Sequence, residues 1–190
     1  MTPKIAVLAL QGAFIEHVRM FESLGAEVFE IRQYKDLEYS CDALVLPGGE
    51  STVQSKLMHE LDIFNMIKQR IVNGMPVMAT CAGLILLAEK LQDDPAVHLA
   101  TLPVTVQRNA YGRQLGSFHI TGNFDGYSDV PMPFIRAPKI SAVGNGVKVL
   151  SYCGNDPTAV LYEKQLAMTW HPEITRDNRV HKFFLDLINK

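Results

Sequence analysis

Four short apolar runs mark the first half of the chain, and three of them give way to a turn and then to residues at helical spacing. This alternation constrains the fold more than any other feature. The runs are "KIAVLAL", "EVFEI", "ALVL" and "PVMAT". Such short runs, most of them without a polar face, suit strands buried on both sides of a parallel sheet. Between them, residues 14–24 place Phe14, Val18, Phe21 and Leu24 on one helical face and stop at Gly25. Residues 52–72 read as a second helix ended by Gly74, and residues 84–91 as a third. Repeated strand and helix in this order predict a mainly parallel sheet covered on both faces. From Pro103 the texture changes to short alternating segments such as "VTVQ", "SFHITGNF", "FIRAP", "KVLSYCG" and "AVLYEKQLAMTW", which read as strands and hairpins. A last helix over 177–188 brings Val180, Phe183, Phe184, Leu187 and Ile188 together. No repeat, linker or low-complexity tract interrupts the chain. The expected architecture is one three-layer α/β domain over residues 1–190, with helices on both faces of the sheet and a β-rich second half.

A chain of 190 residues can bury a core of this kind without staples. Its formal net charge of -2 gives no electrostatic reason to expect nucleic acid, so small molecules or proteins are the expected partners. The first apolar run is interrupted by Gln11 and Gly12, too early for a secretory signal, and no run reaches the roughly 18–20 residues that span a bilayer. No membrane association is expected. Cys41, Cys81 and Cys153 form neither an even disulfide set nor a CxxC pair, which suits a reduced, cytoplasmic compartment.

Cys81 falls where the fourth strand becomes a helix. "ATCAG" has the form of a nucleophile elbow, small-x-nucleophile-x-small, in which small residues at 79 and 83 let the turn close. The start of the helix would offer amide donors that favour thiolate. By itself the pattern fits a packed core thiol at least as well. A cysteine nucleophile needs a base, and the base an orienting group. Of six histidines, His17, His59 and His181 lie in polar helical settings, His98 in a loop and His119 on a strand face. His171 in "TWHPEI" is different, because Glu173 two residues on projects from the same side of an extended segment and could fix the imidazole tautomer. A strand-end turn with solvated polar residues explains the same letters. In "LPGGEST", Gly48 and Gly49 could form only a turn, or could let backbone N–H groups approach a substrate as an oxyanion hole. The absence of a following GK[ST] argues against a phosphate-binding loop. Arg108 in "RNAYGRQ" and Arg136 in "FIRAP" could bind a carboxylate, although surface arginines are commoner. Gly48 and Cys81 both lie just past strand ends, where open parallel sheets bind ligands.

Taken together, "LALQGAFIEH", "LPGGEST", "TCAGLILLA", "RNAYGRQ", "FIRAP" and "HPEIT", in this order and nearly end to end, make the chain similar to the class I glutamine amidotransferase family. "LQGAFIEH", "RNAYGRQ" and "FIRAP" point within it to the branch that feeds pyridoxal 5'-phosphate synthase in vitamin B6 biosynthesis. The resemblance implies hydrolysis of the side-chain amide of L-glutamine by a catalytic triad of Cys81 as nucleophile, His171 as acid and base, and Glu173 as its orienting group. It also implies that Gly48 and Gly49 hold the oxyanion and that Glu50, Arg108, Ile135 and Arg136 help bind glutamine. The ammonia would pass to a separate TIM-barrel synthase subunit, which explains why no cofactor motif is present, and docking of that partner would activate a weak glutaminase. Gln11 is the candidate sensor of the partner. One departure is Ala79, where the family usually has glycine; positive φ there would strain alanine by roughly 1–2 kcal/mol, whereas a requirement for small size alone would not. Trp170 and Ile174 replace the usual Phe and Leu. The rival readings are a glutaminase feeding another synthase, a thiol-based stress protein of similar sheet architecture, and a noncatalytic subunit that retains the fold.

Overall fold

The computed structural model describes residues 2–108, 110 and 117–189. The first apolar run forms β1 (Lys4–Leu8), followed by α1 (Phe14–Ser23), β2 (Glu27–Ile31) and β3 (Ala43–Leu46). The expected helix over 52–72 is two helices, α2 (Ser51–Glu60) and α3 (Phe64–Val72). Asp62 breaks them with φ 57, and Ile63 then donates its N–H back to Met58 O. The turn re-aims the chain so that Met58, Ile63, Ile67 and Ile71 all reach the core, which one straight helix of that length would not allow. β4 (Val77–Thr80) leads through Cys81 into α4 (Ala82–Leu87). The expected helix over 84–91 ends early, and Ala88–Leu91 is β5, paired in parallel with β6 (Leu102–Gln107). Four consecutive apolar residues at 84–87 have no period that distinguishes helix from strand, and the cross-chain pairing decides.

In the second half, β7 (Ser117–Phe124) and β8 (Tyr127–Ile135) form a hairpin, β9 (Lys139–Val143) pairs with β6, and β10 (Lys148–Cys153), β11 (Asp156–Tyr162) and β12 (Gln165–Met168) join the main sheet. The chain ends in α5 (Arg179–Ile188), two residues shorter at its start than the periodicity suggests because Asp177 turns to bind Arg179. The main sheet has the order β10-β11-β12-β4-β3-β1-β2. From β12 to β2 every neighbouring pair is parallel, and β10 and β11 add an antiparallel edge.

Alternation along the strands divides the core. On β1, Ala6 and Leu8 pack with α2, α3 and α4, whereas Ile5 and Val7 pack with Val18 and Phe21 of α1 and with Val180 and Phe184 of α5. The small sheet of β5, β6 and β9 extends the first face through Val104, Val106 and Ile140, and the hairpin extends the second through Val130, Met132 and Phe134. Helices therefore lie on both faces, as the alternation predicts. Among the described residues, no helix is long and apolar enough to cross a membrane.

Candidate active site

Three adjacent strands deliver the candidate groups. β3, β4 and β12 lie side by side and parallel, so the segments leaving them, which carry Gly48, Cys81 and His171, emerge at one edge of the sheet. Cys81 sits at the turn with φ 48 and ψ -98, its N–H donated to Met168 O at 2.9 Å. A non-glycine residue with this backbone is strained, which is the mark of a nucleophile elbow. Ala79 does not share the strain. It is an ordinary strand residue of β4, paired with Leu46 and Ala167 and fully buried, so only its size matters. Size also rules at Gly83, where an added Cβ would lie 2.1 Å from Leu46 O and push α4 off the sheet.

His171 follows β12, and its N–H bonds Pro133 O at 2.9 Å. The next residues are not extended: Pro172–Ile174 form a 3-10 turn, which brings the Glu173 carboxylate back to the ring. Nδ1 of His171 and Oε1 of Glu173 are 2.7 Å apart, and both residues are buried. Burial opposes a charge on His171, but hydrogen bonds with Cys81 and Glu173, and their charges, outweigh it and raise its pKa to about 10. With Nδ1 committed to Glu173, Nε2 is left for the sulfur. Thr80, the last residue of β4, donates to Glu173 Oε1 at 3.4 Å and accepts the Gly48 N–H at 3.0 Å.

A pocket of about 180 Å³ opens above Cys81. This is well under the roughly 300–1,000 Å³ of drug-sized sites and suits a single amino acid. Gly48, Gly49, Glu50, Arg108, Ile135 and Arg136 all line it beside Cys81 and His171, and Glu173 stands behind the wall. Arg108 reaches Glu50 at 2.9 Å and Asp94 at 3.5 Å. The remaining positions of "RNAYGRQ" at 109 and 111–114 lie outside the described residues. Gln11 accepts the Glu50 N–H at 2.7 Å and receives Gln54 Nε2 on its own carbonyl at 2.9 Å, tying the loop after β1 to the glycine loop. Gly12 is required there, because a Cβ would lie 1.8 Å from Gly48 O.

Several residues near the site were invisible as such in the sequence. Ser51 and Ile85 also line the pocket. His17 and His181, expected in polar helical settings, are both fully buried and hydrogen-bonded to each other, Nδ1 to Nε2, at 3.1 Å. His17 Nε2 lies 3.2 Å from Thr80 Oγ1 and 3.6 Å from Glu173 Oε2. The signal that could have found them is spacing: His17 is four residues before Phe21, and His181 is three before Phe184, on the apolar faces of their helices. His98 lies in a loop, as expected, but is buried against Ser55 Oγ at 2.9 Å. Burial raises the pKa of the half-buried Cys41 thiol, which neighbours Arg70 at 3.6 Å and Met75 at 3.8 Å. Cys153 packs partly buried against the second core face.

Residues 7–190 match the SNO glutamine amidotransferase family. The chain is 52% identical over 186 residues to the pyridoxal 5'-phosphate synthase subunit PdxT of Desulfitobacterium hafniense (strain Y51), covering 98% of this chain and 94% of that one. It is 51% identical to the subunit of the same name from Methanocorpusculum labreanum, covering 97% of each. A crystal structure of a glutamine amidotransferase superposes with a TM-score of 0.92 at 40% identity, covering 98% of this chain and 99% of that one. PurLQS from Thermotoga maritima shares the fold, with a TM-score of 0.69 at 14% identity over 98% of this chain and 99% of that one.

Proposed function

Since this chain belongs to the SNO glutamine amidotransferase family, we propose that Cys81, His171 and Glu173 are the triad with which it hydrolyses the side-chain amide of glutamine. It is the glutaminase subunit of a pyridoxal 5'-phosphate synthase and supplies ammonia for vitamin B6 biosynthesis. Glutamine lies in the pocket with its amide over Cys81. Arg108 and Arg136 face its α-carboxylate and Glu50 its α-amino group, and Ile135 packs on the methylenes. The sulfur attacks the amide carbon, His171 gives its proton to the departing ammonia, and a glutamyl thioester remains on Cys81. Water, deprotonated by His171, then releases glutamate. Glu173 holds the ring in the productive tautomer and balances its charge.

The oxyanion that forms in both steps needs backbone donors, worth roughly 10²–10³ in rate each. Gly48 and Gly49 are the candidates, yet the Gly48 N–H is engaged by Thr80. That peptide has to turn before it can serve, which suits a chain that is weak alone and active when its TIM-barrel synthase partner docks. Gln11, bonded to the same loop, is placed to transmit the docking. The whole chain acts as one glutaminase domain in the cytoplasm.

The observation that carries this reading is the convergence of Gly48, Cys81 and His171 from three adjacent parallel strands, with Glu173 bonded to His171 behind them. The test is glutamate release from glutamine by the chain alone and with the synthase subunit, with Cys81→Ala as control. Release stimulated by the partner and abolished in the control supports it. No release in a complex shown to form would overturn it in favour of a noncatalytic subunit.

A further inference from the structure

Behind the triad lies a polar chain that the reaction described above does not use. Glu173 is buried, and its Oε1 is occupied by His171 and Thr80, but Oε2 has no hydrogen-bond partner among the described residues. The polar atom facing it is Nε2 of His17 at 3.6 Å. The tautomers follow from counting donors. Nδ1 of His181 is buried with no partner among the described residues, so an N–H placed there would be wasted and the His181 proton belongs on Nε2. That N–H donates to His17 Nδ1 at 3.1 Å. His17 must then carry its own proton on Nε2, aimed at Thr80 Oγ1 and Glu173 Oε2.

The Thr80 hydroxyl confirms the polarity. It has one proton and two lone pairs; it donates to Glu173 Oε1 and accepts from the Gly48 N–H and the His17 Nε2–H, with nothing left over. Both histidines are fully buried on facing helices, and Phe21 packs edge-on against His181 with ring centroids 4.9 Å apart. Burial, with His181 and His171 nearby, holds His17 well below its ordinary pKa, and burial brings His181 down to about 3. The contact between His17 and Glu173 is therefore a neutral donor facing a carboxylate. The titratable groups around His17 are His181 from α5 and Glu173 and His171 from the segment after β12.

We propose that His17, oriented by His181, is a positioning residue of the glutaminase: its Nε2–H holds the Glu173 carboxylate in place, and through Glu173 it sets the His171 ring. The proposal rests on the functional reading above and deepens it. It also gives the last letter of "LQGAFIEH" a chemical task.

Two substitutions separate this role from packing. Glutamine at 17 can place an amide N–H where Nε2 sits, whereas asparagine can reach only the Nδ1 position, keeping the contact with His181 and losing those with Thr80 and Glu173. With the synthase partner present, His17→Asn should lower kcat about 10- to 100-fold at unchanged KM. His17→Gln should stay within about threefold of wild type. Equal behaviour of the two variants, a loss confined to KM, or the reverse order would overturn the proposal. Nitrogen NMR of the unmodified chain gives a readout independent of turnover: His17 should be neutral and protonated on Nε2, and a proton on Nδ1 would overturn it. Wild-type chain that releases no glutamate with its partner, yet shows the Nε2 tautomer, would sink the functional reading and the positioning role with it while leaving the hydrogen-bond polarity intact.

Discussion

Gly48→Ala adds one methyl group at the point where the glycine loop meets the imidazole. Gly48 is not among the residues with positive φ, so alanine fits the backbone and the substitution tests space alone. The new Cβ would lie 2.3 Å from His171 Cε1, 2.9 Å from Nδ1 and 3.4 Å from Cys81 Cβ. Carbon atoms in contact sit about 3.5–4.0 Å apart, so the first distance is short by more than about 1 Å. The ring has little room to yield, because Nδ1 is held by Glu173 at 2.7 Å and the backbone N–H of His171 by Pro133. Either the ring turns and loses its pairing with Cys81, or the loop retreats and breaks the Gly48 bond to Thr80. A displacement of about 1 Å in a reacting group costs about 10²-fold in rate, and overpacking costs about 1–3 kcal/mol of stability. At about 2–4 °C per kcal/mol for a chain of this size, the melting temperature should fall by several degrees. The assay is partner-stimulated glutamate release alongside a thermal melt. A kcat within threefold of wild type at unchanged Tm would show that the ring is not fixed and refute the reasoning.

Four further outcomes can be checked. His171, raised to about 10, contributes stability that is complete below its unfolded value near 6.5 and is lost as pH climbs through 10, so the Tm gap between wild type and His171→Gln should narrow over that range. His181 acts at the other end: below about pH 6.5 the unfolded chain takes up a proton that the folded one refuses until about 3, so stability falls as pH drops through that window, and His181→Phe should flatten the fall in a melt series. Arg108→Ala should raise KM for glutamine about 10- to 100-fold while sparing kcat, since it removes a charged hydrogen bond at the pocket wall and leaves the reacting groups alone; an unchanged KM in steady-state assays would remove Arg108 from the binding site. Ala79→Gly should lower stability by about 1–2 kcal/mol with kcat unchanged, because it deletes a buried strand methyl; a rise in Tm would mean that the strain lies at 79 after all.

The parallel sheet was legible because its strands are short apolar runs between clear helical periods, and the site's front wall because Gly48, Cys81 and His171 each follow such a run. What escaped was set by contacts between distant segments. Nothing local in the run 84–91 says that Ala88 turns to pair with Leu102, and nothing local between 52 and 72 announces the left-handed turn at Asp62. The route from His171 to Glu173 was anticipated along an extended segment, whereas Pro172 starts a 3-10 turn that makes the same pairing by folding back. His17 and His181 were hidden by their neighbours: Glu16 and Arg19, and Arg179 and Lys182, make the surroundings read as polar, although the histidines face inward.

The placement of β12 beside β4 also bears on how the enzyme comes into being. Val77 pairs with Gln165 and Thr80 with Met168, so the strand that carries the base joins the strand that carries the nucleophile only after most of the chain has been made. Parallel pairings across such a span pay their loop-closure entropy before any contact repays it, and they form late. A nascent or partly folded chain therefore has a cysteine without a base, and cannot consume glutamine before its sheet is complete. Pulse-labelled hydrogen exchange during refolding should find the β12 amides among the last to gain protection; early protection there would remove this built-in delay.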